Sequence, residues 1–317
     1  MSAVALRREQ TRVWAEMGEQ PEVLGRALAA NEPLLDRLRT LAPLRIRLIG
    51  HGSSGHAARF GAAVVEARLG VPCDVVPAPD LGGGSALYGG GDLVLALSQS
   101  GRTPSVLSAA RRAVAAGAHV VALTNDPDSP LAASAHGSLS CHAGEEVAVP
   151  ATKTFLAQAA LLLALAAGTG VASRALAPIA AALEAPPAGV PTAPLRPGMV
   201  VGSRSAAPIA AEVALKFAEI AGHAVLGVDA AEALHGPVAA GDGPLLALAA
   251  RPDPNLDLLR VHRDVVQPAL PLDGSGDADA DALVLAVIGQ IMALDLALAC
   301  GRDPDSPPHL SKVTRSA

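Results

Sequence analysis

Cysteine is scarce in this chain: Cys73, Cys141 and Cys300 stand alone, with no C-x-x-C spacing. That argues against a disulfide framework or a cysteine zinc site and for a reducing, cytosolic setting. No cofactor and no metal is expected. Long basic runs are also missing. Lys and Arg number 24 against 30 Asp and Glu, for a formal net charge of −6. Duplex binding needs a clustered basic face, so no nucleic-acid partner is expected. Aromatics make up only 2% of the residues, and alanine fills the helical stretches instead, a matter of composition rather than function. Phe155 to Ala167 stops at Gly168 and Gly170, and Leu283 to Cys300 is interrupted by Gln290 and Asp295. A membrane span needs roughly 20 apolar residues, so both read as buried helices and no membrane partner is expected. The first 20 residues carry Arg7, Arg8, Glu9 and Glu16, so they do not read as a secretory signal.

What is present is apolar mass. Half of the 317 residues are hydrophobic and 17% are charged, enough for a large core and for two domains. Arg8 to Leu41 reads as one or two amphipathic helices, with Pro21 and Pro33 as breaks or starts. Strands and helices then alternate. Strands are expected at Arg45–Ile49, Cys73–Val76, Leu93–Leu97, His119–Thr124 and Ser138–Cys141. Helices are expected at Ser54–Leu69, Ser105–Ala116 and Thr152–Ala167. This rhythm argues α/β architecture, a parallel sheet flanked by helices. Ala185 to Pro197 is Pro-rich and reads as a linker. The pattern restarts with a strand at Met199–Val201, a turn at Gly202–Ser205, a helix at Pro208–Ile220 and a strand at Leu245–Ala249. Helices at Asn255–Arg263 and Asp281–Cys300 close it. The two halves read as a repeat.

The richest stretch is Ser98-Gln99-Ser100-Gly101-Arg102-Thr103. It stands where a buried strand turns into a helix, and a helix N-terminus offers N–H groups and partial positive charge to an anion. Gly50-His51-Gly52-Ser53-Ser54-Gly55 ends a second strand in the same way. At the carboxyl ends of parallel strands the two loops would meet at a switch point and hold a phosphate. Gly50, Gly52 and Gly55 also spell G-x-G-x-x-G, but that fingerprint wants an acidic residue at the end of the next strand, and Asp74 comes early in it. The second half has Ala250-Arg251-Pro252-Asp253 where the first has S-Q-S-G-x-T, so it keeps the pattern and loses the cup. Lys216 and Glu219 share a helix face; they are a surface ion pair or an acid/base pair. His235 precedes Gly236-Pro237 in a loop suited to a positioned imidazole. The tail His309-Leu310-Ser311-Lys312-Val313-Thr314 follows Pro304, Pro307 and Pro308 and is not expected to be helical.

Taken together, G-x-G-S-S, S-Q-S-G-x-T, Ala151-Thr152-Lys153-Thr154, A-L-K-x-x-E, E-x-x-H-G-P and the final L-S-K-V-T resemble the sugar isomerase (SIS) domain family. The likeness is to the isomerase half of glucosamine-6-phosphate synthase and to stand-alone aminosugar-phosphate deaminases. It implies two tandem flavodoxin-like subdomains. Residues 1–42 would be a helical segment, 43–184 the first SIS domain, 185–198 a linker, 199–300 the second SIS domain and 301–317 a tail closing the active site. It further implies a phosphorylated amino sugar as substrate and a homodimer. Ser53, Ser54, Ser98, Gln99, Ser100 and Thr103 would bind the sugar phosphate, with Gly52 and Val149 added to that set. Glu219 would move a proton between C1 and C2. His235 would help open the sugar ring from the neighbouring subunit, Lys216 would lie near the sugar oxygens, and Lys312 would form a Schiff base with the open-chain ketose. The synthase pattern calls for a glutaminase domain with Cys after the initiator Met. Residue 2 is Ser, so deamination is the expected direction. Arg102, His51 and Gly55 depart from the family pattern around the sugar.

Overall fold

The computed structural model describes residues 6–76 and 87–312. Its described helices are α1 (Arg12–Gly18), α2 (Gln20–Thr40), α3 (Gly52–Leu69), α4 (Pro104–Ala115), α5 (Pro130–Ala133), α6 (Lys153–Ala167), α7 (Thr169–Ala172), α8 (Leu176–Glu184), α9 (Ala207–Ala221), α10 (Ala230–Leu234), α11 (Pro254–His262) and α12 (Ala278–Ala299). The strands are β1 (Arg45–Ile49), β2 (Cys73–Val75), β3 (Asp92–Leu97), β4 (His119–Thr124), β5 (Gly137–Ser140), β6 (Met199–Gly202), β7 (Leu226–Asp229), β8 (Leu245–Leu248) and β9 (Val265–Val266).

The chain divides into two compact units, and the division does not follow chain order. One holds residues 22–145 and 153–173; the other holds the stretch up to residue 21, residues 146–152 and residues 174–312. The helical segment 1–42 is therefore not one body, and its first five residues lie outside the described set.

The first unit carries a five-stranded parallel sheet in the order β2-β1-β3-β4-β5. This is the doubly wound order whose switch point lies between β1 and β3. Strand β3 is buried at all six positions, which is why it reads as a continuous apolar run. The second unit carries a four-stranded parallel sheet, β7-β6-β8-β9, with its own switch point between β6 and β8. Helices α9 and α12 pack closely there: a Cβ on Gly289 would stand 2.3 Å from Val213 Cγ2. Helix α12 is the one described helix long and apolar enough to cross a membrane, with a mean hydropathy of 2.2. Of that stretch, 83% is buried inside the fold, and its Gln290 Oε1 accepts a hydrogen bond from Gln20 Nε2 at 2.7 Å.

Three sequence readings need correction. Pro33 does not break α2. Its missing N–H removes one helical bond, but Val23, Leu24, Ala27, Leu28, Leu35 and Leu38 are buried on both sides of it, and that packing carries the helix through. Helix α3 starts at Gly52, two residues before Ser54, with Gly52 at φ +53 in the turn that leads into it. Strands β7 and β9 and helices α8 and α10 have no counterpart in the sequence reading. Strand β7 is largely unburied and β9 spans two residues, so neither has a hydrophobic signature.

Candidate active site

The first loop cluster stands at the carboxyl ends of β1 and β3. The chain leaves β1 through Gly50, where a Cβ would be 2.8 Å from the Ser54 carbonyl oxygen; only glycine lets α3 start this close. Ser53 and Ser54 are half-buried on its first turn, and Gly52 is exposed. Beyond β3, the buried Ser98 Oγ lies 3.0 Å from Thr103 Oγ1. The Gln99 carbonyl accepts from Asn125 N at 3.0 Å and from Thr124 Oγ1 at 3.2 Å, which pins the loop to the end of β4. Gly101 turns the chain with φ +60, and a Cβ there would stand 2.2 Å from Ser129 Oγ. Thr103 is the N-cap of α4 but does not cap it with its side chain. The structure thus brings Ser98 and Thr103 together, with Ser100 half-buried in the same turn. Three hydroxyls stand at the start of a twelve-residue helix, where an anion is favoured.

Two side chains at these loops were absent from the sequence reading as partners. His51 Nε2 lies 2.9 Å from Ser105 Oγ, which ties the β1 loop to the first turn of α4. Arg102 Nη2 donates to Asp126 Oδ2 at 2.9 Å, so the residue that departs from the family pattern is held sideways by the loop after β4. Asp74, the acid wanted by a dinucleotide fingerprint, sits within β2 with an oxygen 3.4 Å from Arg47 Nη1.

The equivalent loops of the second sheet are closed from within. Asp253 is the N-cap of α11 and accepts from Asn255 N at 2.8 Å. The same carboxylate accepts the Ser203 hydroxyl. Where the first sheet leaves the start of α4 without a side-chain cap, the second supplies its own anion.

The second unit holds the candidate chemical groups. On α9, Glu212, Lys216 and Glu219 follow at i, i+4 and i+7. Lys216 Nζ is 2.5 Å from Glu219 Oε2 and 3.4 Å from Glu212 Oε1. The side chains of Lys216 and Glu212 are 0% exposed and that of Glu219 is 21% exposed. This is no surface ion pair. Burial pulls the Lys216 ammonium down, but the Glu212 and Glu219 carboxylates outweigh it and push Lys216 up to about 12. Lys216 is therefore a fixed cation at neutral pH, and Glu219 is the member of the trio that reaches solvent. Glu212 was missed in the sequence, although its spacing from Lys216 is the helical four.

Glu219 lines a cleft of about 220 Å³ with Gly222, Arg302, Asp303, Pro307, Pro308 and Leu310. The tail residues 301–312 form no helix; Val313 and Thr314 lie outside the described residues. Lys312 Nζ donates to Glu146 Oε2 at 2.9 Å and to the Ala148 carbonyl at 2.7 Å. Val149 N donates to the Asp305 carbonyl at 2.9 Å, so Val149 meets the tail through its backbone. His235 is exposed at the C-terminal end of α10, ahead of Gly236 with φ +133, and it does not line the Glu219 cleft.

The SIS domain family model matches residues 42–168, which include β1 to β5 and α3 to α6; the second sheet lies outside the match. The chain is 28% identical over 355 aligned positions to glutamine–fructose-6-phosphate aminotransferase (isomerizing) of Bradyrhizobium diazoefficiens, covering 94% of this chain and 57% of that one. It thus spans little more than half of that relative's length. A crystal structure from Silicibacter pomeroyi DSS-3, provisionally assigned as a phosphosugar isomerase, aligns with TM-score 0.76 at 28% identity, over 93% of this chain and 100% of that one. Glucosamine-6-phosphate deaminase of Thermotoga maritima shares the fold, with TM-score 0.70 at 19% identity, over 96% of this chain and 100% of that one.

Proposed function

From the premise that this chain carries a SIS domain over residues 42–168, we propose that it is a phosphosugar isomerase acting as an aminosugar-phosphate deaminase. It converts glucosamine 6-phosphate and water to fructose 6-phosphate and ammonia. The names of its relatives support the substrate class: a fructose-6-phosphate aminotransferase by sequence and a phosphosugar isomerase by structure. The observation that carries the reading is the α9 trio. A buried ammonium locked between two carboxylates, one of which opens to a cleft, is the arrangement a proton-shuttling base needs.

In this reading the cup of Ser53, Ser54, Ser98, Ser100 and Thr103 takes the phosphate. Glu219 takes the C2 proton of the open-chain amino-aldose and delivers it to C1. The C1 aldehyde becomes an alcohol and the C2 amine becomes an imine. Water at C2 then releases ammonia and leaves the ketose. Lys216, buried between Glu212 and Glu219, holds the Glu219 carboxylate in place. Lys312 forms an imine with the ketose. The exposed His235 serves ring opening across a homodimer interface, and three cysteines outside any disulfide suit a cytosolic setting.

The cleft beside Glu219 favours one second reading, a fructosamine-6-phosphate deglycase. Asp303 and Ser306 line it and would face a larger amine. An amine-release assay across glucosamine, galactosamine and fructoselysine 6-phosphates separates the two. Release from glucosamine 6-phosphate alone supports the deaminase, and release from fructoselysine 6-phosphate alone the deglycase. Release from none, with sugar phosphate still bound, removes both.

A further inference from the structure

The lysine at the tail does not hang free. Its Nζ meets Glu146 Oε2 at 2.9 Å and the Ala148 carbonyl at 2.7 Å. Glu146 itself has a wholly buried side chain, and its other oxygen accepts Thr152 N at 3.0 Å. Behind it stands Glu16. One Glu16 oxygen accepts from Val147 N and from Ala148 N, the latter at 3.2 Å. Burial pushes the Glu16 carboxyl up; the two backbone N–H groups pull it down, Glu146 adds to the rise, and Lys312 opposes it. Asp305 completes the frame. Its carboxylate accepts from Arg12 N and Val13 N, each at 2.9 Å, and its carbonyl accepts from Val149 N. The first helix, residues 146–152 and the tail are thus tied together around one ammonium.

An imine-forming lysine must present a lone pair, and an ammonium has none. An ordinary lysine is protonated at neutral pH. A buried carboxylate in hydrogen-bond contact stabilises that ammonium at rest, but it also fixes the side chain and is the base nearest its proton when the lysine attacks. We propose that Glu146 is the positioning residue for Lys312 and the acceptor of its proton when the lysine attacks a ketose carbonyl. The inference rests on the imine role given to Lys312 above. In the step, one N–H bond of the ammonium breaks and its proton passes to Glu146 Oε2. The freed lone pair forms the Nζ–C2 bond. The carbonyl oxygen then leaves as water, with the proton returned from Glu146 and a second one from nitrogen. The product is the protonated imine.

The test is reductive trapping. The intact protein is incubated with fructose 6-phosphate and cyanoborohydride, and the adduct is mapped by mass spectrometry. The wild type is expected to trap at Lys312. Glu146→Gln keeps the shape and removes the acceptor. It should trap at least about tenfold more slowly at neutral pH, with the rate profile moved to higher pH, a shift that a merely structural role would not give. Trapping by Glu146→Gln at the wild-type rate and pH overturns the proposal, as does a wild type that traps nowhere or at another lysine. Should Glu146→Gln not fold, Glu146→Asp decides. Its carboxylate is set back by one methylene, so slower trapping supports the proposal and an unchanged rate overturns it. Ammonia release from glucosamine 6-phosphate, measured in parallel, separates the two claims. Trapping at Lys312 without release defeats the deaminase reading alone, and release without trapping defeats this one alone.

Discussion

Lys216 is a charge with no access to water. Burying an ion carries a penalty of several kcal/mol, which only well-placed counter-charges offset. Glu212 and Glu219 are those charges. Replacing Lys216 by Met keeps the volume and leaves Glu212 buried with its cation gone. The expected loss is about 3–5 kcal/mol, read from urea unfolding of Lys216→Met beside the wild type; a loss under about 1 kcal/mol would deny the trio its structural part. Glu219 is partly open, so Glu219→Gln is expected to fold and to bind sugar phosphate. Its turnover should fall by about 10³-fold or more, since general-base contributions run to about 10²–10⁴. Ammonia release within tenfold of wild type would remove Glu219 as the base. The pairing of Lys216 with Glu219 was legible in the sequence because three residues on a helix share a face. Its burial was not, since that depends on what covers α9. Glu146 was illegible for a different reason: its contact with Lys312 joins positions 166 apart in the chain, and no local pattern records such a pair.

At the scale of elements, the two sheets show what a helix N-terminus does when it is filled or left open. Asp253 caps α11 and holds the Ser203 hydroxyl, whereas Thr103 leaves the start of α4 without a side-chain cap. Losing an N-cap costs about 0.5–2 kcal/mol, so Asp253→Ala should lower stability by about that much and leave sugar-phosphate affinity unchanged, as isothermal titration would show. A fall in affinity would mean that the second cup takes part in binding. The contact of α9 with α12 is equally specific. Alanine at Gly289 gains roughly 1 kcal/mol of helix propensity. Its Cβ would nonetheless stand 2.3 Å from Val213 Cγ2 and 2.7 Å from Cγ1, and overpacking costs typically 1–3 kcal/mol. The β-branched Val213 cannot swing aside freely, so the clash wins and Gly289→Ala should lower the melting temperature; a rise would show that the helices slide. The strands buried along their whole length, β3, β6 and β8, were legible from their apolar runs. The half-exposed β7 and the two-residue β9 were not, because their pairing is supplied by the neighbouring strand rather than by their own side chains.

At the scale of the whole molecule, the two units carry separate alkaline limits. In the unit of the five-stranded sheet, burial pushes the Cys73 thiol from 9.0 up to about 12, with Asp74 and Glu66 adding to the rise. In the other, Lys216 stands at about 12 against an ordinary 10.5. The sign is the same for both. Each group holds its proton in the folded state after the unfolded chain has released it, so the unfolded state binds fewer protons and stability falls as pH rises. The Cys73 contribution is whole below pH 9.0 and is lost on the way to about 12; the Lys216 contribution is whole below 10.5 and is lost over the upper part of the same range. Urea midpoints measured from pH 8 to 12 should therefore begin to fall near 9 and steepen past 10.5. Serine at Cys73 removes the titrating thiol and keeps a small polar side chain. In Cys73→Ser the early decline should vanish and the later one remain. Midpoints that stay level through pH 10 in the wild type would show that the Cys73 thiol meets water in the folded state. A Cys73→Ser curve that still bends at 9 would assign the early decline to another group.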